Sequence, residues 1–163
     1  MKKTILLTLI LIIALLAITV PAGAASWKSK ITGGGQAVAG GTYFSINVSA
    51  TEKASGEYKG QMQYSRYNGT LDMHASVKCS WTSGDGKTAL AAGPAKAQND
   101  PANLVASNGG WMVVMVKEGG TGSGDRVRVI LRSEDAAMDF CSNGPSGGFP
   151  GLVVDGNFKI RSR

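Results

Sequence analysis

The chain is poor in the residues that build zinc sites. It has one histidine and two cysteines among 163 residues. A zinc site made from cysteine and histidine alone usually takes four ligands, so that chemistry is excluded. No cysteine stands where a leader would be cut, which argues against a lipoprotein anchor. Past residue 25 there is no long apolar run and no stretch of convincing helical periodicity. No internal repeat is evident, and no linker divides the chain. Charge is sparse, at 17% of residues.

The one long apolar run is at the start. Lys2 and Lys3 precede it, and from Ile5 to Val20 only Thr8 and Thr19 are polar. Pro21 ends the run, and Ala22, Gly23, Ala24 and Ala25 follow. This is the three-part layout of a secretory signal, in a prokaryotic style. The run is shorter than the ~20 residues that span a bilayer. Residues 1–25 are therefore expected to be a signal peptide cut after Ala24 or Ala25, with contact to the membrane only through that transient segment. The product is expected in the cell envelope or outside the cell (the periplasm if the host has an outer membrane).

Residues 26–163 suffice for one domain with its own core. Removing Lys2 and Lys3 takes the 17 basic residues to 15, against 11 acidic, a net +4. That mild excess suits an anionic partner but falls far short of a nucleic-acid signature. Cys79 and Cys141 are candidates for one disulfide, as expected of an exported protein. Cys79 nonetheless shares its parity with core residues, so a buried free thiol is the alternative.

Alternation of apolar and polar residues dominates, the pattern of half-buried strands. Residues 71–81 read as one long strand, with Leu71, Met73, Ala75, Val77, Cys79 and Trp81 on the dry face. Phe44, Ile46, Val48 and Ala50 form a second dry face, and Tyr58, Gly60, Met62 and Tyr64 a third. Val127, Val129 and Leu131 alternate with Arg126, Arg128 and Arg132, with Ile130 as the exception. Leu152, Val154, Phe158 and Ile160 alternate with Asp155, Asn157, Lys159 and Arg161. Residues 111–116 are apolar on both faces, as in a doubly covered strand. Gly33-Gly34-Gly35, Gly40-Gly41, Ser55-Gly56, Asn68-Gly69, Asp85-Gly86, Asn108-Gly109-Gly110 and Gly119-Gly120 read as turns. Residues 133–140 allow a short turn of helix, and 142–151 read as a loop. The expected fold is all-β: a single small antiparallel β-barrel or β-sandwich of about eight strands. Its first strand, 29–32, is expected in one sheet system with its last, 152–160.

Four segments resemble a known family: Ile31-Thr32-Gly33-Gly34-Gly35-Gln36, Lys59-Gly60-Gln61-Met62-Gln63-Tyr64, Gly124-Asp125 ahead of Arg126-Val127-Arg128-Val129, and Asp155-Gly156-Asn157-Phe158-Lys159-Ile160. In that order they resemble the post-COAP-1 domain. The resemblance implies a β-rich extracellular bacterial module, often joined to other surface modules, with no assigned chemistry. It departs from the pattern around residues 100–110 and in the cysteine-bearing loop.

Catalytic constellations fail on geometry. Asp72, His74 and Ser76 have the composition of a hydrolase triad, but neighbours on one face of a strand are ~6.6 Å apart. A working triad needs hydrogen-bond contact. The acidic residues, including Asp85, Asp125 and the Glu134-Asp135 pair, fall in turns or at strand ends, so no pair is set for glycoside hydrolysis. Gly84-Asp85-Gly86 and 122–125 lack the regular spacing of a calcium loop. The segment 122–125 also leads into a strand, whereas a phosphate loop leads into a helix. Trp81 is too close to Cys79 for the immunoglobulin pattern. No cofactor or metal site is expected.

What stands out is basic. Arg126, Arg128 and Arg132 share one wet face, and Lys159, Arg161 and Arg163 share another. If the two strands pair, the six form one anion-binding patch. The expectation is a secreted or envelope β-module without enzymatic activity, binding an anionic envelope polymer or another surface protein, or serving a structural role. Two alternatives stand beside it. One is a small secreted hydrolase centred on His74. The other is a barrel carrying a small apolar ligand against Trp27, Trp81 and Trp111.

Overall fold

The computed structural model describes residues 27–119 and 124–163. The expected leader at 1–25, with its cleavage site, lies outside the described residues, as do Gly120, Gly122 and Ser123.

The described residues form nine strands and two helices. They are β1 (Trp27–Ala39), β2 (Thr42–Lys53), β3 (Tyr58–Arg66), β4 (Asp72–Ser76), β5 (Cys79–Thr82) and β6 (Thr88–Asn99). The helix α1 (Leu104–Ser107), β7 (Trp111–Lys117), β8 (Arg126–Arg132), α2 (Glu134–Asn143) and β9 (Gly151–Ser162) follow. The nine strands belong to one antiparallel sheet in the order β4-β3-β2-β1-β9-β8-β7-β6-β5, and β4 also pairs with β6. The strand order therefore returns on itself.

The first and last strands lie in one sheet, as expected, and moreover pair directly along most of their length. Ser29 faces Ser162, Ile31 faces Ile160, and the ladder runs on to Val38 opposite Leu152. Gly33-Gly34-Gly35 is not a turn. It lies in the middle of β1, between β2 and β9. Gly33 has φ 141°, and a Cβ there would sit 2.1 Å from the Asn157 carbonyl oxygen. The glycines let three backbones approach where side chains would clash.

Two one-residue bulges reverse the parity read from the sequence. The expected strand 71–81 is two strands, β4 and β5, lying in succession along β6. Ala75 faces Ala95 and Cys79 faces Ala92, so four steps on one chain meet three on the other. Such an insertion turns following side chains to the opposite face. Leu71, Met73, Ala75 and Val77 enter the main core, whereas Cys79 and Trp81 join a separate cluster. At the break Val77 N–H donates to the Gly60 carbonyl (3.0 Å) and Lys78 N–H to that of Ala92 (2.8 Å). In β9 the register shifts between Gln36–Asp155 and Ala37–Val153. Val153 is buried as a result, and Val154, expected inward, is 48% exposed.

β6 went unread in the sequence because its Ala, Gly and Pro residues have poor strand propensity. It is a strand because small residues suit its crowded position between β7 on one edge and β5 and β4 on the other.

Two hydrophobic clusters result. The main one fills the inner face, around Ile31, Ile46, Met62, Met112, Val114 and Phe158. The other lies on the outer face of β5 to β8, where Leu90, Val113, Met115 and Ile130 pack with Trp81 and with Ala137, Phe140 and Cys141 of α2. That covering explains why 111–116 is apolar on both faces and why Ile130 breaks the alternation of β8. Ser133 caps α2 by accepting the Ala136 N–H at 3.4 Å. The helix extends to Asn143, past the single turn expected. Cys79 and Cys141 are bonded, S–S 2.04 Å, and tether α2 to β5.

Candidate functional site

The six expected patch residues do not come together, because β8 and β9 pair only through Arg126–Leu152 and Val127–Gly151. Lys159 lies seven residues beyond Leu152, ~23 Å along an extended strand. It faces Thr32, and Arg161 faces Lys30. The guanidinium of Arg163 stacks over the Trp27 ring, 4.4 Å from its centroid. The expected patch is thus two groups: Lys159, Arg161 and Arg163 beside β1, and Arg126, Arg128 and Arg132 on β8.

Where β9 leaves β8, two carboxylates take over the hydrogen bonding of its edge. Asp125 is buried and accepts the N–H groups of Gly119 (2.9 Å) and Phe158 (2.9 Å). Glu118 accepts the Ile160 N–H. Asp125 is therefore a structural buckle that ties Gly119 to β9, not a surface turn charge.

In the other direction, β8 residues 128–132 pair with β7 and, among the described residues, with no strand on their second edge. Two cavities of about 240 and 180 Å³ open there. They share Tyr64, Arg66 and Val129 as walls, so they adjoin across these side chains and are treated together as one cleft. Leu71, Met73, Leu104 and Leu131 line its larger part, and Ala39, Phe44 and Pro150 its smaller part. Val129, Leu131 and Leu104 remain half-buried here, unlike most of the inner face.

Three arginines are among the residues lining this cleft: Arg66, on the inner-face parity of β3, and Arg128 and Arg132, which share with Ile130 the opposite parity of β8 from Val129 and Leu131. Arg132 is exposed and donates from Nη1 to its neighbour's carbonyl at Leu131 (2.9 Å). Arg128 is half-buried and donates from Nη1 to the Ser146 carbonyl (3.0 Å). Arg66 was missed in the sequence. It continues the inner-face parity Met62, Tyr64, Arg66, and it is half-buried at the end of β3, opposite Phe44. Its Nε donates to the Tyr64 hydroxyl at 3.2 Å. The ion pairs among the described residues join Lys28 to Glu52, and Lys53 and Lys59 to Glu57. None of the three arginines is within ion-pair distance of a described carboxylate. The signal for Arg66 was available: a cation on the dry parity of an otherwise regular strand.

The triad residues stay apart. Asp72, His74 and Ser76 stand on β4 opposite Ser65, Gln63 and Gln61. No hydrogen bond joins the three among the described residues, and the buried Asp72 Oδ1 has no partner there. His74 is exposed and lines a groove of about 440 Å³ of mixed character, together with Asn47, Val48, Ser49, Gln61, Met62, Gln63 and Gln98. Asp85 belongs to its turn. The Ser83 hydroxyl and the Lys87 N–H both donate to it and hold its carboxyl below the usual range. Glu134 and Asp135 sit in the first turn of α2. No group of three His, Cys, Asp or Glu side chains suited to a metal occurs among the described residues. The three tryptophans stand in different places. Trp81 and Trp111 pack in the outer cluster and Trp27 lies under Arg163.

No helix of the described residues is long and apolar enough to cross a membrane. Compared with family models, curated proteins and solved structures, the chain matches none of them.

Proposed function

We propose that the chain is an exported, non-enzymatic β-module of the cell envelope that binds an anionic partner at the cleft beside β8. The observation that carries this reading is the half-buried Arg66, which shares the cleft with Arg128 and Arg132 and has no carboxylate partner among the described residues. Buried or half-buried charge is unfavourable unless paired, so an anion arriving there gains an unneutralised cluster in a partly desolvated place. The Cys79–Cys141 bond is compatible with an oxidising compartment. The sheet is read as a closed ring of eight strands, since β4 pairs with both β3 and β6, with β5 continuing the edge of β6 outside it. Removal of the leader after Ala24 or Ala25 and kinship with the post-COAP-1 domain belong to the same reading.

Tripolyphosphate is a suitable compact anion for the test. Changing Arg66, Arg128 and Arg132 together to Gln should weaken its binding at least about tenfold and flatten its salt dependence. Changing Lys159, Arg161 and Arg163 to Gln removes the same charge elsewhere and should have little effect. Equal losses would mean that only net charge matters, and the site would be wrong. His74→Ala should leave binding unchanged. A native activity abolished by His74→Ala but not by the arginine changes would put the hydrolase in place of this reading.

A further inference from the structure

The cleft beside β8 is not only cationic. Its floor is apolar and its cations lie at its borders. Leu71 and Met73 are buried at its base, while Val129, Leu131 and Leu104 are half-buried along its wall. Arg66 lies between the two parts of the cleft and borders both, and Arg132 borders the larger part. A purely polar anion would use the arginines and leave the half-buried Val129, Leu131 and Leu104 partly in contact with water. A neutral apolar ligand would cover the side chains and desolvate cations without pairing them. A ligand satisfies both halves only if it carries both chemistries.

We propose that this cleft takes an amphiphilic anion: a single acyl or alkyl chain laid on Leu71, Met73, Val129 and Leu131, with a phosphate or carboxylate head on Arg66 and Arg132. This rests on the anion-binding reading above and names the partner's class. The dimensions limit the chain. The larger cavity, about 240 Å³, holds the volume of about eight waters at ~30 Å³ each, and a methylene is of comparable bulk. A chain of about eight carbons fills it. A planar guanidinium binds phosphate and carboxylate alike through paired N–H groups, so the head is defined by charge and by two or more oxygens. Met62, Met112 and Phe158 are buried in the same inner cluster as Leu71 and Met73 and line neither part of the cleft.

Calorimetric titration with alkyl phosphates and carboxylates of increasing length, all below micelle formation, tests this on the purified protein. Each buried methylene should tighten binding about three- to fourfold. Octyl phosphate should therefore bind on the order of 100-fold better than butyl phosphate, and the gain should stop near eight carbons. Octanoate should follow octyl phosphate, which identifies the head as a generic oxyanion; phosphate binding without octanoate binding would narrow it to phosphate. Octanol should bind far more weakly. Arg66→Gln should weaken octyl phosphate about tenfold without affecting octanol. Leu131→Asp should abolish the dependence on chain length, and Val129→Phe, which fills the cleft with an apolar group, should block the chain while keeping the fold. If methyl phosphate or tripolyphosphate binds at the arginines as tightly as octyl phosphate, the amphiphile is wrong and the anion site stands. If octanol equals octyl phosphate and Arg66→Gln changes neither, both the amphiphile and the anion reading fall. If none of these ligands binds in an arginine-dependent way, both fall as well.

Discussion

The carboxylate of Asp125 accepts the backbone N–H of Phe158 at 2.9 Å, joining positions 33 residues apart. Its other oxygen accepts the N–H of Gly119, also at 2.9 Å. The bond stands where β8 and β9 have ceased to pair, so one side chain substitutes for missing ladder bonds. Phe158 is among the largest buried side chains of the main core, which links this surface segment to the interior.

Asp125→Asn keeps the shape but converts one acceptor into a donor facing an N–H. Hydrogen bonds to charged groups contribute about 1.5–3 kcal/mol, and the variant should lose about that much in urea unfolding. Amide exchange at Phe158 and Gly119 should quicken more than exchange in β2. A loss within about 0.5 kcal/mol would show that the buckle is dispensable.

The Cys79–Cys141 bond spans 62 residues, for which the chain-entropy account gives about 4 kcal/mol, with smaller values common. The double change to Ser should lower the unfolding midpoint and loosen α2 in preference to the inner sheet. Hydrogen exchange over 134–143 should rise sharply, with β1, β2 and β9 little altered. Uniform loosening of all strands would contradict the separation of the two clusters. Intact mass without reductant reads the bond itself.

Gly93 marks the bulge between β4 and β5. A Cβ there would lie 1.8 Å from the Ser76 carbonyl oxygen. Gly93→Ala should therefore cost about 1–3 kcal/mol, as overpacking does. Gly148→Ala is the control, since nothing lies within 4 Å of its added Cβ, and it should stay within about 0.5 kcal/mol of the parent. Equal stability of the two variants would refute the close approach.

Asp85 supplies a pH signature. The Ser83 hydroxyl and then the Lys87 N–H lower its pKa in the folded protein. A carboxyl depressed on folding contributes stability above its unfolded pKa, and that contribution disappears as pH falls through the folded value. The 83–88 turn should therefore hold at neutral pH and loosen only in acid. An NMR titration should place the Asp85 midpoint below that of an ordinary aspartate, and Ser83→Ala should raise it. A normal midpoint in the parent would remove the hydroxyl from the account.

The alternation of Phe44, Ile46, Val48 and Ala50 sufficed to define the inner face of β2, because side chains on a strand alternate whatever its neighbours are. Gly40-Gly41, Asn68-Gly69 and Asp85-Gly86 sufficed to place turns for an equally local reason: the backbone there needs conformations that few residues adopt. The same reasoning reached its limit at Gly33-Gly34-Gly35, since glycine serves a turn and a close backbone approach alike, and only β2 and β9 lying on either side distinguish them. It failed at Val77–Lys78 and at Val154, where one extra residue reverses the parity of all that follows. A bulge is defined by the count on the partner strand, which the bulged strand's own sequence does not contain. Cys79 therefore read as core and stands on the outer face, bonded to a helix that only the finished sheet gives a surface to cover. Likewise Arg126 and Lys159 would be near one another only if their strands paired in a suitable register, but the register sets Arg126 opposite Leu152, seven residues short of Lys159, and the end of that pairing after Val127 opens the cleft that Arg66 and Arg132 line.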